Sequence, residues 1–146
     1  MCLIIRKNAK VKTAKKDIVC YKVVEKQVKS GYVTPFFNMP ISIGEEYGDV
    51  SLKKMITYLS IVVGEGYHSL KTFEDAMDYT AMLMLAHQFC TFAIVKCVIP
   101  KGAKYYDGRT ENTIGKLKNG YASDKIRYVE VVYEDREKDY SIIKLV

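Results

Sequence analysis

The sequence predicts an α+β domain: a mostly antiparallel, curved sheet with one main helix, at about residues 72–88, packed on it. Three observations lead there. A single segment combines an N-capping residue with apolar side chains at helical spacing. Six or more other segments are short, rich in β-branched and aromatic residues, and bounded by glycine, proline or charge. A chain of 146 residues suits one domain with one core, so residues 1–146 are read as a single unit with a basic segment at 1–16.

Leu3 to Ile5 is a candidate first strand, and Ile18 to Val24 alternates as a half-buried strand does. Gly31 to Phe37 is an extended run closed by Pro35 and Pro40. Ile41 to Val50 holds Gly44 and Gly48 and reads as loop. Met55 to Val63 is apolar and fits either a buried strand or a short helix followed by a strand. Thr72 is the expected N-cap, and Glu74 and Asp75 suit the positive end of the helix dipole. Phe73, Ala76, Met77, Thr80, Leu83, Met84 and His87 form the expected buried stripe. Phe92 to Ile99 is an apolar strand broken only by Lys96, and Pro100 with Gly102 makes a turn. Ala103 to Asp107 is a short strand candidate. Gly108 to Gly120 reads as a long polar loop. Lys125 to Tyr133 is a strong strand. A charged turn at Asp135 to Asp139 then leads into a last strand at Tyr140 to Leu145.

Composition is that of a folded globular protein, 49% hydrophobic and 27% charged. No apolar run reaches the length of a membrane span, and the start lacks a signal-peptide core. The expectation is a cytoplasmic protein with no membrane partner. The net charge of +6 is concentrated: Arg6, Lys7, Lys10, Lys12, Lys15 and Lys16 precede any acid, and the other basic residues equal the 17 acidic ones in number. Such a segment can hold phosphates, so nucleic acid is a possible partner of residues 1–16. No aromatic residue interleaves with these lysines to stack on bases. The cysteines, Cys2, Cys20, Cys90 and Cys97, form no C-x-x-C pair, and free thiols are expected.

The stretch Gly64-Glu65-Gly66-Tyr67-His68-Ser69 resembles a glycine-rich phosphate turn ahead of a helix. The helix starts late for such a turn, at Thr72, and Glu65 would repel a pyrophosphate. His68 is the one weak catalytic candidate, an acid or base near neutral pH on a loop before the helix; the alternative is a histidine bonded to nearby backbone carbonyls. His87, Cys90 and Cys97, with His68 or Cys20, have the atom types for zinc, but they lie on a helix end and an apolar strand, so no metal is assigned. Tyr121 to Arg127 combines Ser123, Asp124, Lys125 and Arg127 at a turn. Lys125 and Arg127 alternate with Ile126 and so share one strand face. Tyr67, His68, Ser123, Lys125 and Arg127 are the candidate ligand-binding residues. Twelve tyrosines without tryptophan suit a contact surface or a core edge.

DIVCYKVV, YVTPFF with the later Ile43-Gly44, EGYHSLKTFEDA, VKCVIPKGAKYYDG and YASDKIRYVEVV together resemble a group of small uncharacterised proteins from phages and gut bacteria. The resemblance covers most of the chain after residue 16. It implies a compact domain of mobile elements, located in host cytoplasm, and carries over no functional residues. VIPKGAKYYDG also resembles the Ile-Pro-Lys-Gly turn of the ADP-ribosyltransferase fold, and Tyr21-Lys22 sits where an early strand of that fold carries Tyr-Arg. The chain has no Ser-Thr-Ser strand and no E-x-E or Q-x-E before its Ile-Pro turn, hence no glutamate for that chemistry.

The functional expectation is a non-catalytic binding protein of phage or mobile-element type, needing no cofactor, that captures a small anionic, nucleotide-like ligand or a host protein. A ligand pocket is expected beside His68 and the Gly108–Gly120 loop. The rival readings are a small nucleotide-processing enzyme with His68 as acid or base, and a nucleic-acid binder using residues 1–16. The sequence sets no oligomeric state.

Overall fold

The computed structural model describes residues 3–27, 31–35, 39–57, 60–87, 90–110 and 118–135. Among them are thirteen strands and one helix. In chain order the first strands are β1 (Leu3–Ile5), β2 (Lys12–Thr13), β3 (Ile18–Gln27), β4 (Gly31–Val33), β5 (Pro40–Ile41) and β6 (Glu46–Tyr47). Then come β7 (Lys54–Ile56), β8 (Ile61–Val63), β9 (Tyr67–Leu70) and the helix α1 (Phe73–Ala86). The chain continues through β10 (Thr91–Ile99), β11 (Lys104–Thr110), β12 (Lys118–Ser123) and β13 (Ile126–Glu134).

Every strand pairing is antiparallel. The sheet runs β6-β13-β10-β3-β9-β12-β11-β1-β8-β7 and is open, with β2, β4 and β5 attached beside this path. The long pair β3–β10 is its spine, in unbroken register from Ile18↔Ile99 to Lys26↔Thr91. Register shifts between Ile94 and Val95 and between Lys96 and Cys97 interrupt the β10–β13 ladder. Such irregularities bend a strand and increase its twist.

The alternation of β3 sorts the core into two faces. Val23 packs with Leu70, Phe92 and Ile94 beneath α1, against Ala76, Tyr79 and Leu83. Cys20 and Val24 point the other way, into a cluster with Val95, Cys97, Ile99, Ile126 and Tyr128. A third cluster joins Leu3, Ile5, Val63, Tyr106 and Ala122 at the far end of the sheet. α1 begins where the capping residue says it should: the Thr72 hydroxyl accepts from the Asp75 amide at 3.1 Å. Its buried stripe is Ala76, Tyr79, Thr80 and Leu83. This is rotated from the expected one: Tyr79 is inside, and His87 caps the C-terminus in an exposed position. The helix contains no residue beyond Ala86 among those described.

The candidate first strand, Leu3 to Ile5, is β1, with Leu3 and Ile5 in the core between β8 and β11, and β2 pairs with β11. Two expectations change. Met55 to Val63 contains two strands, β7 and β8, paired as a hairpin, with no helix among its described residues. The Gly108–Gly120 loop shrinks, because Gly108 and Gly120 are paired strand residues of β11 and β12. Their lack of a side chain serves packing. A Cβ on Gly108 would strike the Ile4 carbonyl, and one on Gly120 would lie 2.7 Å from the Ser69 carbonyl. Glycine inside a strand commonly marks such a close backbone approach. Residues 111–117 and the expected last strand at 140–145 lie outside the described residues, as does Cys2.

Candidate functional site

The site forms where the sheet comes apart. β3 and β9 are neighbours, but they pair only at Tyr21↔Leu70. From there β9 continues along β12, with Ala122↔His68 and Ser123↔Tyr67. β3 instead follows β10 and β4. The divergence leaves a wedge with backbone groups that a continuous ladder would have joined. The Lys22 side chain meets one of them: its Nζ donates to the His68 carbonyl at 2.8 Å.

A cavity of about 320 Å³ occupies this wedge. Lys22 and His68 supply its basic nitrogens, and Tyr21, Tyr47, Tyr67, Tyr79 and Tyr128 supply aromatic surface. Thr34, Pro35, Met39, Pro40 and Ile41 close one side, from the segment around β4 and β5. Tyr47 and Tyr128 meet edge to face, with ring centroids 5.5 Å apart, in an arrangement aromatic pairs favour. Burial raises the pKa of both Tyr67 and Tyr128, so their hydroxyls stay protonated at neutral pH.

The turn Gly64-Glu65-Gly66 is a connection from β8 into β9. Gly66 has φ +122°, and a Cβ there would sit 2.5 Å from Leu52 Cδ2. Only glycine holds that backbone comfortably. The turn delivers a strand, Tyr67–Leu70, before the helix begins, so His68 stands on a strand and not at the helix N-terminus. The glycine-rich phosphate turn is therefore absent.

His68 is 7% exposed. Nε2 lies 2.9 Å from the Val63 carbonyl, and Nδ1 lies 3.1 Å from the Gly66 carbonyl. A neutral imidazole has one N–H and donates to only one of them. The two carbonyls favour the doubly protonated ring, while burial, followed by the Lys22 charge, opposes it. Burial is the larger influence and holds the pKa down at about 4. A neutral ring locked between backbone carbonyls is poorly placed for acid–base catalysis near pH 7. The geometry matches the alternative of a histidine bonded to nearby carbonyls.

Lys22 has a lowered pKa, first because burial penalises the ammonium; the only opposing influences are the thiols of Cys97 and Cys20. Those two cysteines face each other across β3 and β10 and are fully buried and free. Burial drives the Cys97 thiol up, whereas the hydrogen bond from Cys97 lowers the Cys20 thiol against the opposing effect of burial.

The sequence-derived candidates separate. Tyr67 and His68 line the cavity, while Ser123, Lys125 and Arg127 do not. Ser123 is fully buried, with its hydroxyl 3.5 Å from the Tyr67 carbonyl. Lys125 lies 3.6 Å from Asp49, and Arg127 lies 3.6 Å from Asp17. Each cation lies beside its own carboxylate. The Gly108–Gly120 hairpin contributes no described residue to the lining. Among the described residues no cluster of three or more His, Cys, Asp or Glu could hold a metal ion. No described helix is long and apolar enough to cross a membrane. The residue that sequence reading missed is Lys22, along with the lining tyrosines Tyr47 and Tyr128. The available signal was a lysine at an inward-facing position of an otherwise apolar strand, between Cys20 and Val24. In comparisons with protein-family models, curated proteins and solved structures, the chain matches none.

Proposed function

We propose that the protein is a non-catalytic binding protein of mobile-element type, which captures a small ligand in the wedge between β3 and β9. The observation that carries this reading is the cavity: five tyrosines and one half-buried lysine around about 320 Å³. That volume lies at the low end of small-molecule sites, which span roughly 300–1,000 Å³. It suits a small molecule with one flat ring better than a protein segment. Tyrosine walls hold a flat apolar body, and Lys22 is the amine that the described lining offers to a polar or anionic group on the ligand. The nucleotide-like version requires that group to be a phosphate. The half of the site held by His68, a buried ring with a backbone carbonyl beside each nitrogen, lends the enzyme version less support than the binding version.

The test is a titration of the 15N-labelled protein with nucleoside monophosphates and small aromatic acids. Saturable shifts are expected at Lys22, Val23, Tyr67 and His68. Val50→Trp, which fills the cavity from its lining, is expected to abolish them. Shifts confined to the exterior would refute the site.

Residues 1–16 favour a second reading, binding of a polyanion. Arg6, Lys7, Lys10, Lys12, Lys15 and Lys16 are all exposed, and among the described residues only Lys12 approaches a carboxylate, Asp107 at 4.0 Å. Deleting the segment would also delete β1 and its core residues. Charge reversal of Lys15 and Lys16 is the cleaner perturbation, read as a flattened salt dependence of nucleic-acid affinity.

A further inference from the structure

We propose that Lys22 is a covalent capture site for carbonyl compounds, in which the cavity between β3 and β9 presents the ε-amine to an aromatic aldehyde that it binds as an imine. The inference rests on the ligand-binding reading of that cavity and names the ligand's chemistry.

Position comes first. β3 turns Lys22 to the same face as Cys20 and Val24, next to the single Tyr21↔Leu70 pairing where β9 diverges from β3. The side chain keeps partial solvent contact and lines the cavity with Tyr67, Tyr128 and His68. Its hydrogen bond to the His68 carbonyl at 2.8 Å fixes the nitrogen. A neutral amine donating one hydrogen there keeps its lone pair for the cavity.

The absence of a counter-ion is the second point. The cations Lys12, Lys26, Lys53, Lys71, Lys118, Lys125 and Arg127 each lie within ion-pair distance of a carboxylate. Among the described residues no carboxylate acts on Lys22; only Cys20 and Cys97 do. Without a carboxylate beside it, burial lowers the Lys22 pKa and so enlarges the share of neutral amine, the form that attacks carbonyls. A freely exposed lysine, with a pKa of about 10.4, holds roughly 0.1% of its side chain in that form near pH 7.5.

The step balances without any oxidant or reductant. The Nζ lone pair forms a C–N bond to the aldehyde carbon, and the carbonyl π pair moves to oxygen. A proton passes from nitrogen to that oxygen, giving a carbinolamine. The oxygen then leaves as water with the second amine hydrogen, and a C=N bond remains. Tyr67 and Tyr128, whose hydroxyls stay protonated at neutral pH, line the same cavity. Tyrosine walls favour an aryl aldehyde over an aliphatic one.

The experiment uses the full chain at pH 7.5 with 4-formylbenzoate and sodium cyanoborohydride, followed by peptide mapping. In parallel, 4-(hydroxymethyl)benzoate, which forms no imine, is titrated by NMR. The expected result is one reduced adduct on Lys22, formed about tenfold or more faster than on any other lysine. The alcohol should shift Tyr67 and Val23. Lys22→Arg should lose the adduct, and Val50→Trp, which leaves the amine in place, should lower it about tenfold. An alcohol that shifts the cavity residues, with adducts spread evenly over exposed lysines, would overturn the imine and leave the binding site standing. No shift and no selective adduct would overturn both.

Discussion

His68 makes the protein acid-sensitive in a window that can be worked out from the fold. An ordinary histidine has a pKa near 6.5, and burial holds this one at about 4. Its folded pKa is depressed, so its contribution to stability is intact above pH 6.5 and is lost as the pH falls towards 4. Between pH 7.5 and pH 5 the loss from this one group is about 2 kcal/mol, rising to about 3 kcal/mol below pH 4. The perturbation is His68→Gln, which keeps a donor for the Val63 carbonyl and cannot titrate. The assay is urea unfolding followed by circular dichroism across pH 5 to 7.5, since the chain has no tryptophan to report by fluorescence. Other groups contribute to both proteins, so the difference between their slopes isolates the histidine. Wild type is expected to lose about 2 kcal/mol more than the variant over that range. Parallel slopes would refute the buried, neutral ring.

Lys22→Met should raise Tm at pH 7, because the native state holds the ammonium less well than the unfolded chain does; the gain should shrink as pH approaches 10.5, where both states lose the proton. Thr72→Ala should cost about 1 kcal/mol in urea unfolding, through loss of the hydroxyl that accepts from Asp75. Gly108→Ala should cost about 1–3 kcal/mol, since its methyl meets the Ile4 backbone and a strand cannot step aside as a side-chain tip can. Unchanged unfolding midpoints in either of the last two would contradict the described contacts.

The spine of the fold is legible in the chain. Ile18 to Val24 and Phe92 to Ile99 read as strands because β-branched residues dominate both, and they form the central pair. Thr72 with Asp75 marks the helix start because a capping residue leaves a local signature that tertiary context seldom erases. Short strands fare worse: β6, β7 and β9 are two to four residues long and draw their stability from neighbours distant in sequence. Gly108 and Gly120 illustrate the ambiguity of glycine, which serves turns and tight strand crossings alike. The same holds for charge. Lys125 and Arg127 sit together in sequence as an anion site would, yet Asp49 and Asp17 arrive from remote segments and take each cation separately. Of the site, the Tyr67-His68 stretch was visible locally. Lys22 became significant only through the wedge, which exists because β3 and β9 separate after one pairing, a property of topology that no local pattern records.

The most direct test of the central claim, that a small ligand occupies the wedge, is native mass spectrometry of protein taken gently from the cells that express it, beside Val50→Trp prepared in the same way. The expected result is a stoichiometric small-molecule adduct on the wild type that denaturation or borohydride treatment identifies, and its absence from the variant. A bare wild-type chain that also shows no saturable shifts at Lys22, Val23, Tyr67 and His68 with any titrated ligand would contradict it, as would an adduct that Val50→Trp retains in full.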